Sequence, residues 1–307
     1  MRVALMAISD SGQQHRLLAK AMRNYLGWEA KSIVKTKTYL GYEDKEDWTL
    51  GENGEEAREF VKTADMLIFQ DMLLDMEGLD LDKLAGHGNS IINGLGSMMR
   101  EYMDILKTMQ MEGWAVLPPL SDPTIAARIA GAPFENVIIP VDEILEITKG
   151  IEKNNELTIC HAPTKTERKG TEIFEEILAR EFPNVRYERI TGKSWEDALR
   201  QKKMCHILLN STGDESYGMN CLEGLILGQK VISNITPWDY ALHSDLPMIT
   251  TYEQNIADVV GDVIRNVEFM GFDRDEEERN IEWVRKHFGA ETQIRKWEAY
   301  IEWVMTR

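Results

Sequence analysis

From Cys205 to Asn234 the chain reads CHILLNSTGDESYGMNCLEGLILGQKVISN, a strand, loop, helix and strand in succession. His206 to Leu209 is a short apolar run, Met219 to Leu227 is apolar over the length of a helix, and Val231 and Ile232 begin a second short run. Short apolar runs bounded by turn residues mark buried parallel strands, and the helix between them is the crossover that parallel pairing requires. The loop STGDESYG therefore lies at a strand's carboxyl end, where open parallel sheets bind ligands. Asp214, Glu215 and Ser216 precede the helix, so its N–H groups and positive dipole end face the same place. The helix is apolar except for Asn220, Glu223 and Gly224. A carboxylate on so apolar a helix needs hydrogen-bond donors, and the vicinal diol of a sugar or ribose would supply two.

The same alternation runs through the rest of the chain. Arg2 to Ile8 is an apolar strand ending in Ser9-Asp10-Ser11-Gly12, and Gln13 to Leu26 has helical spacing at Leu17, Leu18, Met22 and Leu26. With one glycine, this loop is not the dinucleotide fingerprint. Asp10 could orient a ligand hydroxyl or cap the helix at Gln13. Further strands are predicted at 28–35, 66–70, 89–93, 114–117 and 137–139, with a helix over 55–62 and a loop over 39–53. In the second half, strands at 157–160, 185–190, 206–209 and 231–232 alternate with helices at 171–181, 195–202 and 219–227. A helix over 253–267 and a helical tail over 273–307 follow. Apolar periodicity lapses in the polar IEKNNE stretch, which puts a domain boundary near residue 150 and gives domains 1–150 and 151–307.

Three passages carry a resemblance. Glu215 and Glu223 stand at E-x7-E spacing in the frame ESYGMNCLEGLILGQKVI, a strand at 157–160 runs into HAPTKTERKGT, and GSMMR follows the strand at 89–93. Together they resemble retaining glycosyltransferases of the GT-B fold, especially glycosyltransferase family 4. The resemblance implies two Rossmann-like domains facing a central cleft, with a C-terminal helix returning to the first. It also implies that Glu223 binds the nucleotide ribose and that Glu215 binds the donor sugar's hydroxyls. Ser216, Tyr217, Gly218, Met219 and Asn220 would line the donor, Tyr217, Gly218 and Met219 with their backbone amides. Lys169 takes the family lysine position and holds the donor diphosphate. The family arginine is Thr166 here, so Lys165 or Arg168 must supply the second cation. By the same resemblance His161 and Gly12 would begin or belong to loops that face the donor, and Asp10 would join Glu215 and Lys169 as catalytic residues. Ser97 and Arg100 approach the acceptor, unless Ser97 only caps a helix and Arg100 only faces solvent.

Composition narrows the classes. At 307 residues the chain is long enough for two cores, and 43% hydrophobic with 28% charged residues is ordinary for a globular protein. No apolar run reaches the roughly 18 residues of a membrane span, and the start lacks a signal-peptide pattern. Three cysteines without metal spacing suit a reducing compartment, so a cytoplasmic location is expected. A net charge of −17 argues against broad nucleic-acid binding. Yet residues 1–41 carry seven Lys/Arg against two acids, which keeps an anionic acceptor open. The aromatic positions Trp283, Phe288, Trp297, Tyr300 and Trp303 read as core packing.

The expected protein is an α/β, GT-B enzyme that moves a sugar from a nucleotide-diphosphate sugar to an acceptor hydroxyl with retention. It would need no metal and no cofactor beyond that co-substrate. The acceptor could be a saccharide, a lipid-linked glycan, a protein or a modified nucleic-acid base. Two other classes share the expected fold: a sugar-nucleotide epimerase and a binding protein that keeps only the donor site.

Overall fold

The structure is a computed structural model that describes residues 1–10, 12–42, 47–70, 85–86, 88–94, 103–117, 134–163, 166–212, 217–271 and 273–307. The chain forms two compact units, Met1–Ile138 with Phe288–Arg307, and Ile139–His287.

Unit 1 holds a six-stranded, all-parallel sheet: β1 (Arg2–Ala7), β2 (Glu29–Val34), β3 (Trp48–Thr49), β4 (Met66–Gln70), β5 (Ser90–Asn93) and β6 (Ala115–Leu117). They lie in the order β3-β2-β1-β4-β5-β6. Side chains alternate across a strand, so Val3 and Leu5 point to one face and Ala4 and Met6 to the other. The first pair packs with Leu17, Leu18 and Met22, the second with Ile33, Phe60, Val61 and Phe69. Helix α1 (Gln14–Ala21) continues as a π-helical turn, Met22–Leu26, and Gly27 ends it with φ +65°. Helix α2 (Leu50–Lys62) and helix α3 (Met103–Met111) follow in order. Residues 39–42 of the expected loop at 39–53 are irregular, but its end supplies edge strand β3 and starts α2 at Leu50, ahead of the expected 55. Trp48 is held there edge-on to Phe60 at 5.5 Å.

The predicted strand at 137–139 does not form. The Ile138 N–H donates to Gln14 Oε1 at 2.7 Å and its carbonyl accepts from Gln14 Nε2 at 3.0 Å, so a side chain of α1 takes the bonds a strand would make. The division between units falls right after it, earlier than the expected 150. Helix α4 (Val141–Ile147) packs on helices of unit 2.

Unit 2 contains β7 (Thr158–His161), α5 (Thr166–Lys169), α6 (Thr171–Glu181), β8 (Arg186–Arg189), α7 (Trp195–Lys203), β9 (Ile207–Leu209), α8 (Met219–Ile226), β10 (Lys230–Ser233), α9 (Pro237–Leu242), β11 (Ile249–Thr250), α10 (Ile256–Met270) and α11 (Arg274–Phe288). Its parallel sheet has the order β11-β10-β9-β7-β8. Ile159, Ile207, Leu209 and Ile232 meet Phe174, Leu178 and the apolar stripe of α10 on one face. Thr236 and Asp239 form a reciprocal capping box at α9, with Pro237 opening the helix.

The final helix, α12 (Ala290–Thr306), belongs to unit 1, as the returning C-terminal helix required. Ile294, Trp297, Ile301 and Val304 are fully buried in the core that holds Val3 and Leu5. Trp283, Phe288, Trp297 and Tyr300 are buried, which fits packing, whereas Trp303 is exposed and stacks on Tyr300. No helix among the described residues is long and apolar enough to cross a membrane.

Candidate functional site

In unit 2 the strand order turns back between β7 and β9, and crossover connections leave those two strands in opposite directions. In open parallel sheets the place beyond the carboxyl ends of two such strands is where a ligand crevice forms. Both motif loops start there: 162–170 after β7 and 210–218 after β9.

The first loop is braced from below by His161. Its Nδ1 lies 2.7 Å from the Leu209 carbonyl, which can only accept, so Nδ1 carries the proton and Nε2 accepts from Thr171 Oγ1 at 2.8 Å. Burial, opposed by the bond to Leu209 and aided by the nearby Lys169 charge, lowers the His161 pKa to about 4. His161 is fully buried. This corrects its expected place among donor-binding side chains: both ring nitrogens are used inside the unit, and the imidazole ties β7, β9 and the start of α6 together.

Lys169 and Gly170 form the turn into α6. Gly170 has φ +68°, and a Cβ there would stand 2.1 Å from Thr212 Oγ1. Only glycine lets the two motif loops approach this closely. Lys169 is partly exposed and near enough to His161 and Cys221 to shift both pKa values downward. The turn thus sets a cation beside a helix N-terminus, an arrangement that attracts anions.

The second loop leads into α8 through Tyr217 and Gly218. Gly218 is the N-cap in extended conformation and, as a glycine, brings no capping side chain of its own. Tyr217 is buried, its ring 6.5 Å from that of His243. One turn into α8, Glu223 is buried, and the donors that its apolar helix calls for are in place. Its two donors come from the protein: Trp195 Nε1 donates to Oε1 at 2.8 Å, and the buried Lys202 ammonium donates to Oε2. Lys202 also donates to Asn220 Oδ1 at 3.1 Å, and Asn220 Nδ2 donates to Asn210 Oδ1 at 3.1 Å. Asn220, expected to face a ligand, is a link in this chain. Sequence reasoning missed Trp195 and Lys202, although a signal existed. Trp195, Leu199 and Lys202 recur at i, i+4 and i+7, and a lysine on the apolar face of a helix calls for a buried partner.

Glu215, Ser216, Lys165, Ser97 and Arg100 lie outside the described residues, as does the side chain of Arg168. Among the described residues, no cluster of three or more His, Cys, Asp or Glu could hold a metal ion.

In unit 1, Asp10 sits at the end of β1. Its Oδ2 accepts from the Arg16 N–H at 2.8 Å, so it caps the first turn of α1. Its Oδ1 is buried and has no hydrogen-bond partner among the described residues. Burial pushes the carboxyl up to about 6, against N–H groups of Arg16, His15 and Gln14 and the Arg16 charge, which pull it down. Gln13 holds φ +48°, a strained conformation for a residue with a Cβ. The Gly12 carbonyl accepts from Gln14 Nε2 at 3.1 Å.

No protein-family model matches the chain, and no curated protein sequence does. Solved structures do. The chain is similar to HepE from Anabaena in complex with UDP and glucose, at 12% identity over 98% of this chain and 100% of that one, with a TM-score of 0.69. AviGT4, a glycosyltransferase involved in avilamycin A biosynthesis, is similar at 13% identity over 100% and 98%, TM-score 0.63. So is an α-glucosyltransferase in complex with UDP and a 13-mer DNA containing an HMU base, at 11% identity over 99% of both chains, TM-score 0.63. Two parallel α/β units matched over nearly their whole length by these structures define the fold as GT-B.

Proposed function

We propose that the protein is a glycosyltransferase that moves a sugar from a nucleotide-diphosphate sugar to an acceptor hydroxyl, with the donor held at the β7–β9 crevice. The observation that carries this reading is the Lys169–Gly170–Thr171 turn. It is packed against Thr212 and bonded to His161 at the point where the strand order reverses, and it joins a lysine to a helix N-terminus. A diphosphate fits that chemistry, since each oxygen gains a charge-assisted bond. HepE, the neighbour with the same fold, is solved with UDP-glucose as well as with UDP and glucose.

Lys169, with Lys165 or Arg168, holds the diphosphate. Glu215 and Ser216 take the donor sugar, and Tyr217, Gly218 and Met219 offer backbone amides. Glu223 faces the ribose as a carboxylate already fixed by Trp195 and Lys202. A carboxylate has about four lone-pair sites, so two protein donors leave room for a ribose hydroxyl. In the reaction the bond from the anomeric carbon to the diphosphate oxygen breaks, and the electron pair leaves with the diphosphate. The acceptor oxygen bonds to the anomeric carbon on the same face, and its proton passes to the departing phosphate. Fixed cations and dipoles, rather than a metal or further cofactor, stabilise the charge that develops.

Labelled UDP-glucose incubated with and without a panel of acceptors tests the reading. Release of UDP with label appearing in an acceptor is expected. Conversion of the sugar nucleotide without acceptor, or binding without any turnover, would assign the fold to an epimerase or to a binding protein.

A further inference from the structure

Unit 2 buries three free cysteines, and two of them stand side by side. Cys160 is on β7, and Cys205 directly precedes β9, the neighbouring strand, where the His206 N–H donates to the Thr158 carbonyl at 2.8 Å. The Cys205 thiol hydrogen-bonds the Cys160 sulfur. One side-chain amide holds both residues. Gln229 Nε2 donates to Cys160 Sγ at 3.3 Å, to the Cys205 carbonyl at 3.3 Å and to the Lys202 carbonyl at 2.9 Å. Lys153 donates to the Cys205 carbonyl at 2.6 Å and to the Leu227 carbonyl at 2.9 Å, which sets an ammonium beside the pair.

Burial in apolar surroundings keeps a thiol protonated and inert. Cys221 is such a case: burial raises its pKa, against bonds from the Gly218 backbone and Ser233. The surroundings of the other two divide them. Burial raises the Cys160 pKa, but the bonds from Cys205 and Gln229 and the charges of Lys202 and Lys153 outweigh it and leave it below the usual thiol value. The bond to Cys160, and then burial, raises Cys205. A sulfur favoured as thiolate, held against one that keeps its proton, is the arrangement of an attacking and a resolving cysteine.

We propose that Cys160 and Cys205 are a redox-active pair that a hydroperoxide closes into a disulfide, and that the closed form weakens the donor site. The Cys160 thiolate attacks one peroxide oxygen, the O–O bond breaks, and the departing hydroxide takes a proton to become water. Cys160 is left as the sulfenic acid. The Cys205 sulfur then attacks the Cys160 sulfur, the S–O bond breaks, and hydroxide leaves as water with the Cys205 proton. The two thiols give two electrons to the peroxide, and a dithiol reductant reverses the change. Both sulfurs are buried, so peroxide reaches them by local opening and the reaction is slow. The closed bond is about 2 Å long, shorter than any thiol–thiol hydrogen bond, so closure draws Cys205 toward β7. Lys202, in the last turn of α7 just before Cys205, holds Glu223 and carries that shift to it. The effect on the donor rests on the transfer reading; the disulfide does not.

The full chain is treated with hydrogen peroxide, the remaining thiols are alkylated in denaturant, and the digest is mapped by mass. The expected product is one disulfide joining the Cys160 and Cys205 peptides, with Cys221 alkylated, and its loss after dithiothreitol. In Cys205→Ser, dimedone is expected to trap a sulfenic acid on Cys160. All three cysteines still alkylated after peroxide, a bond that includes Cys221, or irreversible oxidation alone overturns the pair. Calorimetric titration of UDP then compares the reduced and oxidised chains. Affinity is expected to fall at least about tenfold on oxidation, as for a positioned group displaced on the order of 1 Å, and to return on reduction. Equal affinity in both forms overturns the effect on the donor site. If the disulfide maps and neither form binds UDP, the transfer reading fails and the redox pair stands.

Discussion

Glu223 and Lys202 form an ion pair that is buried on both sides, with the Trp195 indole completing the carboxylate's donors. Removing one member of such a pair strands the other, a loss of about 3–5 kcal/mol, while removing both charges with shape kept is close to neutral. Glu223→Ala is therefore expected to lower stability to urea by that amount, and Lys202→Met combined with Glu223→Gln to recover most of it. A loss of ligand binding in Glu223→Ala alone would report on folding as much as on the ribose. Asp10 has a pH signature. Its pKa is raised from 3.8 to about 6, so between those values the folded chain holds a proton that the unfolded chain has released. Stability falls as pH rises through this window, by about 3 kcal/mol in all, and the loss persists above it. Urea titrations of wild type and Asp10→Asn across pH 3.8 to 6 should differ in slope by this contribution, with the variant flatter. That Glu223 needs donors was legible in its apolar helix. Their source was not, because it lies on a helix 28 residues away in sequence for Trp195 and 21 for Lys202.

At the scale of elements, the strands were readable where a parallel strand is buried on both faces and its apolar run is continuous, as in β1, β4 and β9. The edge strands β3 and β11 have two residues each, too few for any period to show. Val137 to Ile139 has the composition of a strand, but the bonds of Ile138 go to Gln14, which no local pattern reveals. Helix α9 was not expected from the sequence, although Thr236-Pro237-Trp238-Asp239 carries a cap signature that signals it. The element most directly tied to the site is the turn at Gly170. Gly170→Ala combines positive φ with a 2.1 Å approach to Thr212, so the loop must shift. UDP affinity is expected to fall by at least about tenfold, since misplacement on the order of 1 Å already disrupts a positioned site. Adding Thr212→Ala should restore part of it. Unchanged affinity in Gly170→Ala, measured by calorimetry, would detach the turn from the ligand.

Each of the two units has a core of its own, and the chain enters unit 2 after Ile138 and leaves it after His287. The returning helix α12 is part of the unit 1 core, with Trp297 fully buried and edge-on to Phe134 at 5.7 Å. Trp297→Ala is expected to cost about 3–5 kcal/mol in thermal or urea unfolding of unit 1, with no change in UDP binding by unit 2. The two-unit α/β plan was legible in the repeated strand–helix alternation, whereas the exact division was not. Helix α4 follows unit 1 in sequence but packs on α7 and α8. The charge asymmetry leaves the acceptor's charge open for a related reason: a count of cations along a segment does not say which are already paired. The central claim is that the β7–β9 crevice binds a nucleoside diphosphate through Lys169. Calorimetric titration of UDP into the wild-type protein and into Lys169→Ala tests it most directly. Saturable binding to the wild type, at least about tenfold weaker in the variant for one lost charge-assisted contact, is the expected result. Absence of UDP binding, or equal affinity in both proteins, would contradict it.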